Sequence, residues 1–221
     1  MTTSKEKRIV GVDVGGANLK FASLDGDAVC TRFPMWRNPD RLGDALAKDL
    51  GQLHDASSNI DALAVTMTGE LADCFADRSV GVAHIVAQMS WAAARLGIDE
   101  LAFYGVDRQF RDSADAAQHA DLVAAANWHA LASFVAEEVA GRAILVDIGS
   151  TTTDIIPIFQ GRVDTSATTD YERLVDGSLV YVGCRRTPVC ALVDHLNYRG
   201  RVSSVMNELF ATIDDACLLL D

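Results

Sequence analysis

Apolar positions in this chain fall into short β-branched runs and helical repeats, and the opening pattern returns in the second half. Residues 8–14 read as a buried strand, and residues 18–24 alternate through Leu19, Phe21 and Ser23 as a second one. Asp25-Gly26-Asp27 is a hairpin turn signal, and residues 28–33 complete a three-strand meander. Pro39 opens a helix, with Asn38 as its N-cap and Leu42, Ala45, Leu46, Asp49 and Leu50 on a helical repeat. Residues 60–67 form a further buried strand that ends in the polar turn Thr68-Gly69-Glu70.

Residues 79–96 read as a helix stopped by Gly97, and residues 101–106 as a short strand. Residues 119–139 are Ala-rich and predict one long helix ended by Gly141. The opening then repeats. A strand over 143–148 is followed by a turn, a strand over 155–159, the turn Gln160-Gly161 and a short strand over 162–164. Residues 179–182 are strand-like, residues 187–196 predict a helix with Pro188 in its first turn, and residues 203–219 predict a final helix. The order implies an α/β protein with mixed sheets and flanking helices. Two lobes are expected, over 1–135 and 140–221, with a ligand cleft between them.

Composition narrows the partners. Of the 221 residues, 49% are hydrophobic and 23% charged, enough for a buried core under a solvated surface. No apolar stretch approaches the ~20 residues of a membrane span, and the N-terminus shows no signal peptide, so a cytoplasmic protein without a membrane partner is expected. A formal net charge of −12 argues against nucleic acid. Cys30, Cys74, Cys184, Cys190 and Cys217 are odd in number and scattered, which reads as reduced thiols.

Two stretches carry the candidate chemistry. Val12-Asp13-Val14-Gly15-Gly16-Ala17-Asn18-Leu19-Lys20 and Val146-Asp147-Ile148-Gly149-Ser150-Thr151-Thr152-Thr153-Asp154 each join two apolar runs through an Asp and a Gly-containing turn. Such turns expose several backbone N–H groups and can bind phosphate oxygens in a highly acidic chain. Gly15 and Gly16 permit positive φ and close ligand approach. Asn18, Lys20, Gly149, Ser150, Thr151 and Thr152 add donors. Asp13, Asp147 and Asp154 are candidate Mg²⁺ ligands, and Asp13 or Asp147 could also act as general base. The plain alternative is a pair of Gly-rich hairpins; neither turn fits a P-loop.

Glu70 follows a buried strand, where open α/β sheets place ligand groups, and is a candidate base; a capping or solvated Glu is the alternative. In Cys184-Arg185-Arg186-Thr187-Pro188, Arg186 is a candidate phosphate contact, with solvated arginines as the alternative. His129, in an Ala-rich helix, reads as a packed histidine rather than a ligand.

The turns at 13–16 and 147–150 resemble the phosphate motifs of the actin, sugar-kinase and heat-shock ATPase superfamily. With Thr66-Met67-Thr68-Gly69-Glu70-Leu71, Ala126-Asn127-Trp128-His129-Ala130, Ile155-Ile156-Pro157 and Arg186-Thr187-Pro188, the chain resembles the hydantoinase A/oxoprolinase group. Within that group it is similar to a subfamily of one-carbon transfer pathway proteins. The resemblance implies a two-lobed actin-like, ribonuclease H-like fold, from which this chain departs as either a member with a shortened second lobe or a fragment. It also implies a transferase of methanofuran-type cofactor biosynthesis. Such an enzyme joins an aminomethylfuran methyl diphosphate to the phenol of γ-glutamyltyramine and releases pyrophosphate. Mg²⁺ is expected as cofactor. The superfamily's later Gly-rich adenosine segment is not expected within residues 1–221, which leaves ATP open. Two other readings follow from the group: an ATP-dependent kinase or hydantoinase-type hydrolase, and a non-catalytic nucleotide-binding protein. The apolar end Leu218-Leu219-Leu220 suggests homodimer contacts.

Overall fold

The computed structural model describes residues 7–53 and 59–220 and divides the chain into two compact units, Met1–Leu131 and Ala132–Asp221. The fold is mixed α/β, as the pattern implies.

In the first unit, β1 (Ile9–Val14), β2 (Asn18–Ser23) and β3 (Ala28–Arg32) form the expected antiparallel meander. A single 3₁₀ turn, Pro39–Arg41, leads into α1 (Leu42–Leu53); Asn38 makes no side-chain cap there. β4 (Ala62–Met67) then returns parallel to β1. After α2 (Arg78–Leu96), β5 (Glu100–Tyr104) lies parallel to β4, with a short antiparallel β6 (Phe110–Arg111) at the edge. The order is β3-β2-β1-β4-β5-β6, the meander-plus-crossover arrangement of a ribonuclease H-like lobe. Val10, Val12 and Val14 on one face of β1 pack with Leu46 and Leu50 of α1 and Ile85 and Met89 of α2 in a closed core.

The predicted single helix over 119–139 does not form. α3 (Ser113–Gln118) and α4 (Ala120–Val123) are followed by a break, and α5 runs over Asn127–Glu137. Ala125, inside the break, has φ +49°, which ends any helix. Alanine favours helix locally, but a tertiary contact to Ala125 overrides that preference here.

In the second unit, β7 (Arg142–Ile148) and β8 (Thr153–Phe159) pair antiparallel. β9 (Arg162–Val163) joins one end of β8. α6 (Asp170–Asp176) opens with a capping box from Thr169 and Glu172, and β10 (Leu179–Val180) then pairs with the other end of β8. The consecutive strands β7, β8 and β9 repeat the meander of the first sheet, and the order across the longer path is β10-β8-β7. The helix predicted over 187–196 is only a 3₁₀ turn, Val189–Ala191. Residues from the two C-terminal predicted helices instead form the hairpin β11 (His195–Tyr198) and β12 (Arg201–Ser204). The last helix shrinks to α7 (Ile213–Leu218). Leu196, the last residue of the first predicted helix, and Tyr198 and Val202, between the two predicted helices, remain exposed.

Candidate functional site: two turns with outward N–H groups

Both Asp–Gly turns close with the same bond and are met by a returning segment, which fastens carbonyls one position apart in the two turns. In the first, the Gly15 N–H donates to the Asn18 carbonyl (3.0 Å). The chain after β3 then comes back beneath the turn: the Met35 N–H donates to the Gly16 carbonyl and the Phe33 N–H to the Ala17 carbonyl, both at 2.9 Å. In the second, the Gly149 N–H donates to the Thr152 carbonyl (2.8 Å). The chain after β10 comes back in the same manner: the Cys184 N–H donates to the Gly149 carbonyl, and the Arg185 and Arg186 N–H groups to the Ser150 carbonyl (2.7 Å for Arg186).

A trans peptide holds its C=O and N–H on opposite sides. With the Gly16 and Ala17 carbonyls fastened from below, the N–H groups of Ala17 and Asn18 point the other way. With the Gly149 and Ser150 carbonyls fastened, those of Ser150 and Thr151 do the same. This is a backbone nest suited to an anion. Neither Gly15 nor Gly16 has positive φ, which corrects the expectation drawn from their type. Gly15 is needed because a Cβ there would lie 2.8 Å from the Asn18 carbonyl, whereas a Cβ on Gly16 would meet nothing within 4 Å.

Two further glycines back these turns. A Cβ on Gly69 would come within 3.1 Å of the Val14 carbonyl and 3.3 Å of the Gly15 carbonyl. A Cβ on Gly183 would lie 2.5 Å from the Thr151 nitrogen. Thr187 pins the second support, its hydroxyl accepting from the Gly183 N–H (2.8 Å) and donating to the Gly183 carbonyl (3.2 Å). Their signal in the sequence was slight: a Gly at the end of a strand, with nothing to say which turn it supports.

The candidate side chains take different positions. Asp13 pairs across strands with Lys20 (3.1 Å) and accepts from the Thr66 hydroxyl (3.4 Å), so Lys20 faces the same side as Asp13. Asp147 is exposed at the end of β7, directly before its turn. Asp154 is opposite Asp147 in the strand register but is held by the buried Arg173 guanidinium (2.7 Å). Burial raises its proton affinity most, Arg173 offsets part of that, and the nearby Asp147 charge raises it further. Asp154 is thus an ion-pair partner of Arg173. Among the described residues, no three His, Cys, Asp or Glu side chains gather as a metal cluster. Mg²⁺ typically takes one or two carboxylates with phosphate oxygens and water, and Asp147 fits that donor set.

Glu70 is 1% exposed, and its Oε1 accepts from the Ala125 N–H (2.8 Å). A carboxylate so enclosed does not suit the base expected of it. Arg186 reaches the second turn through its backbone N–H, and Arg185 pairs with Asp214 (3.3 Å). His129 is packed, its Nδ1 3.0 Å from the Tyr104 hydroxyl.

A family model described as Hydantoinase/oxoprolinase matches residues 61–221. The chain belongs to this hydantoinase/oxoprolinase family. A Methanocaldococcus jannaschii relative, named (4-{4-[2-(gamma-L-glutamylamino)ethyl]phenoxymethyl}furan-2-yl)methanamine synthase, is 38% identical to this family member over 216 residues. The match covers 96% of the chain and 62% of that relative, so the chain spans less than two thirds of the relative's length. A Methanococcus vannielii protein of the same name is 44% identical over 90 residues, 41% of this chain and 40% of its own. Among solved structures, the ethanolamine utilization protein EutJ from Carboxydothermus hydrogenoformans is similar at a TM-score of 0.42 and 15% identity, covering 73% of this hydantoinase-family chain and 51% of its own. An Aquifex aeolicus Ppx/GppA family member is similar at a TM-score of 0.43 and 12% identity, covering 80% and 52%. No helix among the described residues is long and apolar enough to cross a membrane.

Proposed function

We propose that this hydantoinase-family chain is a transferase that forms an aryl–alkyl ether from a diphosphate-activated aminomethylfuran and the phenol of a γ-glutamyl tyramine. The observation that carries this reading is that each unit has a turn whose carbonyls are fastened by a returning segment, which directs the N–H groups of those peptides away from that segment. The 38% identity to a synthase whose name describes a phenoxymethylfuran product supports the substrate class.

In this reading the phenol oxygen attacks the furan's methylene carbon. The C–O bond to the diphosphate breaks with its electron pair, and pyrophosphate leaves. The phenolic proton passes to Asp13, within reach of the first turn and held in place by Lys20 and Thr66. The outward N–H groups receive the negative charge that builds on the leaving group. Mg²⁺ would neutralise part of that charge when bound. A cytoplasmic location fits these substrates.

The test is pyrophosphate release when the chain is given both substrates with Mg²⁺. Release that depends on both supports the reading, and Asp13→Asn is expected to lower turnover by about 10²–10⁴-fold while pyrophosphate still binds. ADP formation from ATP in place of pyrophosphate release would instead favour the ATP-dependent reading.

A further inference from the structure

We infer that Glu70 is a positioning residue that holds the first turn in shape through the backbone, and is not the base of the reaction. The inference rests on the reading above only for what the turn binds. Glu70 sits in the 3₁₀ turn Gly69–Leu71 at the carboxyl end of β4. On one side of it, Gly69 presses against the Val14 and Gly15 carbonyls, and the Thr68 N–H donates to the Val14 carbonyl (3.0 Å). This turn is thus in direct contact with the backbone that forms the anion nest. On the other side, the Glu70 carboxylate crosses to the break between α4 and α5 and accepts the Ala125 N–H.

That bond fastens a loop that would otherwise be helix. Ala125 is held at φ +49°, and a left-handed alanine persists only where its surroundings over-determine it. The second constraint is steric. α2 passes so close that a Cβ on Gly81 would lie 2.5 Å from the Glu70 carbonyl oxygen and 2.7 Å from its Cα. The backbone of Glu70 is therefore pinned by α2, its side chain by Ala125, and its preceding residue is wedged under Gly15. A general base has to meet a substrate proton within hydrogen-bond reach, whereas this carboxylate is buried and directed at a main-chain amide.

The first turn should respond when Glu70 is displaced, even with no charge removed. Amide hydrogen exchange on the intact chain reads this at Gly15, whose N–H closes the turn on Asn18, and at Ala125. Glu70→Ala removes the acceptor and is expected to speed exchange at both amides by at least about tenfold. Glu70→Gln keeps an oxygen acceptor and is expected to restore both. Gly81→Ala keeps the carboxylate but pushes the backbone and Cβ of Glu70, and is expected to speed exchange at Gly15. Calorimetry with inorganic pyrophosphate is expected to follow the same order, with Glu70→Gln near wild type and the other two about tenfold weaker.

Unchanged Gly15 exchange in both Glu70→Ala and Gly81→Ala overturns the inference. Wild-type pyrophosphate affinity in Glu70→Gln together with complete loss of ether formation overturns it as well, since that is the behaviour of a base. If wild type fails to bind pyrophosphate, the functional reading falls, while the exchange data still decide the role of Glu70.

Discussion

The two units carry the same turn on very different foundations. In the first, β1 lies inside a six-stranded sheet, and its inward valines meet α1 and α2. In the second, β7 is the edge strand of its sheet, and Ile144 (67%), Val146 (53%) and Ile148 (60%) stay exposed. Yet each turn fastens two successive carbonyls to a returning segment, after β3 in the first unit and after β10 in the second, with the fastened pair one position earlier along the second turn. The nest is therefore a local device, made by a returning segment and a supporting glycine, and it does not require a finished core behind it.

The largest contrast expected is in stability. Leu46, fully buried, is expected to cost about 2–5 kcal/mol as Leu46→Ala, and Val146→Ala is expected to stay within about 0.5 kcal/mol, by chemical denaturation of the whole chain. Equal losses would mean that the second sheet face is covered in solution.

The supporting glycines sharpen the comparison at the turns themselves. Gly183→Ala forces a methyl onto the Ser150–Thr151 peptide and is expected to cost about 1–3 kcal/mol. Gly16→Ala meets open space and is expected to change stability by less than about 0.5 kcal/mol while weakening pyrophosphate binding, because its methyl enters the outward face.

Acid titration separates the units more finely. In the first, the Arg111 hydrogen bond holds the Asp107 carboxyl below its usual range against a smaller opposing effect of burial. Its contribution is present above the ordinary Asp value and is lost as pH falls through the lowered one. In the second, burial raises Asp154 despite Arg173. The folded protein then takes up that proton at higher pH than the unfolded chain, so acidification through this range relieves a cost. Asp107→Asn is expected to flatten the acid loss of stability, and Asp154→Asn to leave that loss in place, measured as stability against pH.

Much of this was legible in the residues. The two meanders, the positions of both turns and α2 follow from β-branched runs, Asp-Gly signals and helical periodicity, all local properties. What escaped depends on distant partners. Ala125 breaks a strong helix pattern because Glu70, 55 residues away in sequence, claims its N–H. Lys20 could not be assigned a face until its register opposite Asp13 was known. Asp154 looked like a ligand because Arg173, its partner, lies in an unremarkable helix. The C-terminal hairpin spans the gap between two predicted helices and takes one end of each, and its exposed apolar residues impose no clear period.

The most direct measurement is a titration of the ¹⁵N-labelled chain with inorganic pyrophosphate, followed at individual backbone amides. Saturable shifts at Ala17, Asn18, Ser150 and Thr151, weakened in Gly183→Ala at the second pair, are the predicted result. Shifts confined to exposed arginines and lysines, with these four amides unmoved, would contradict it.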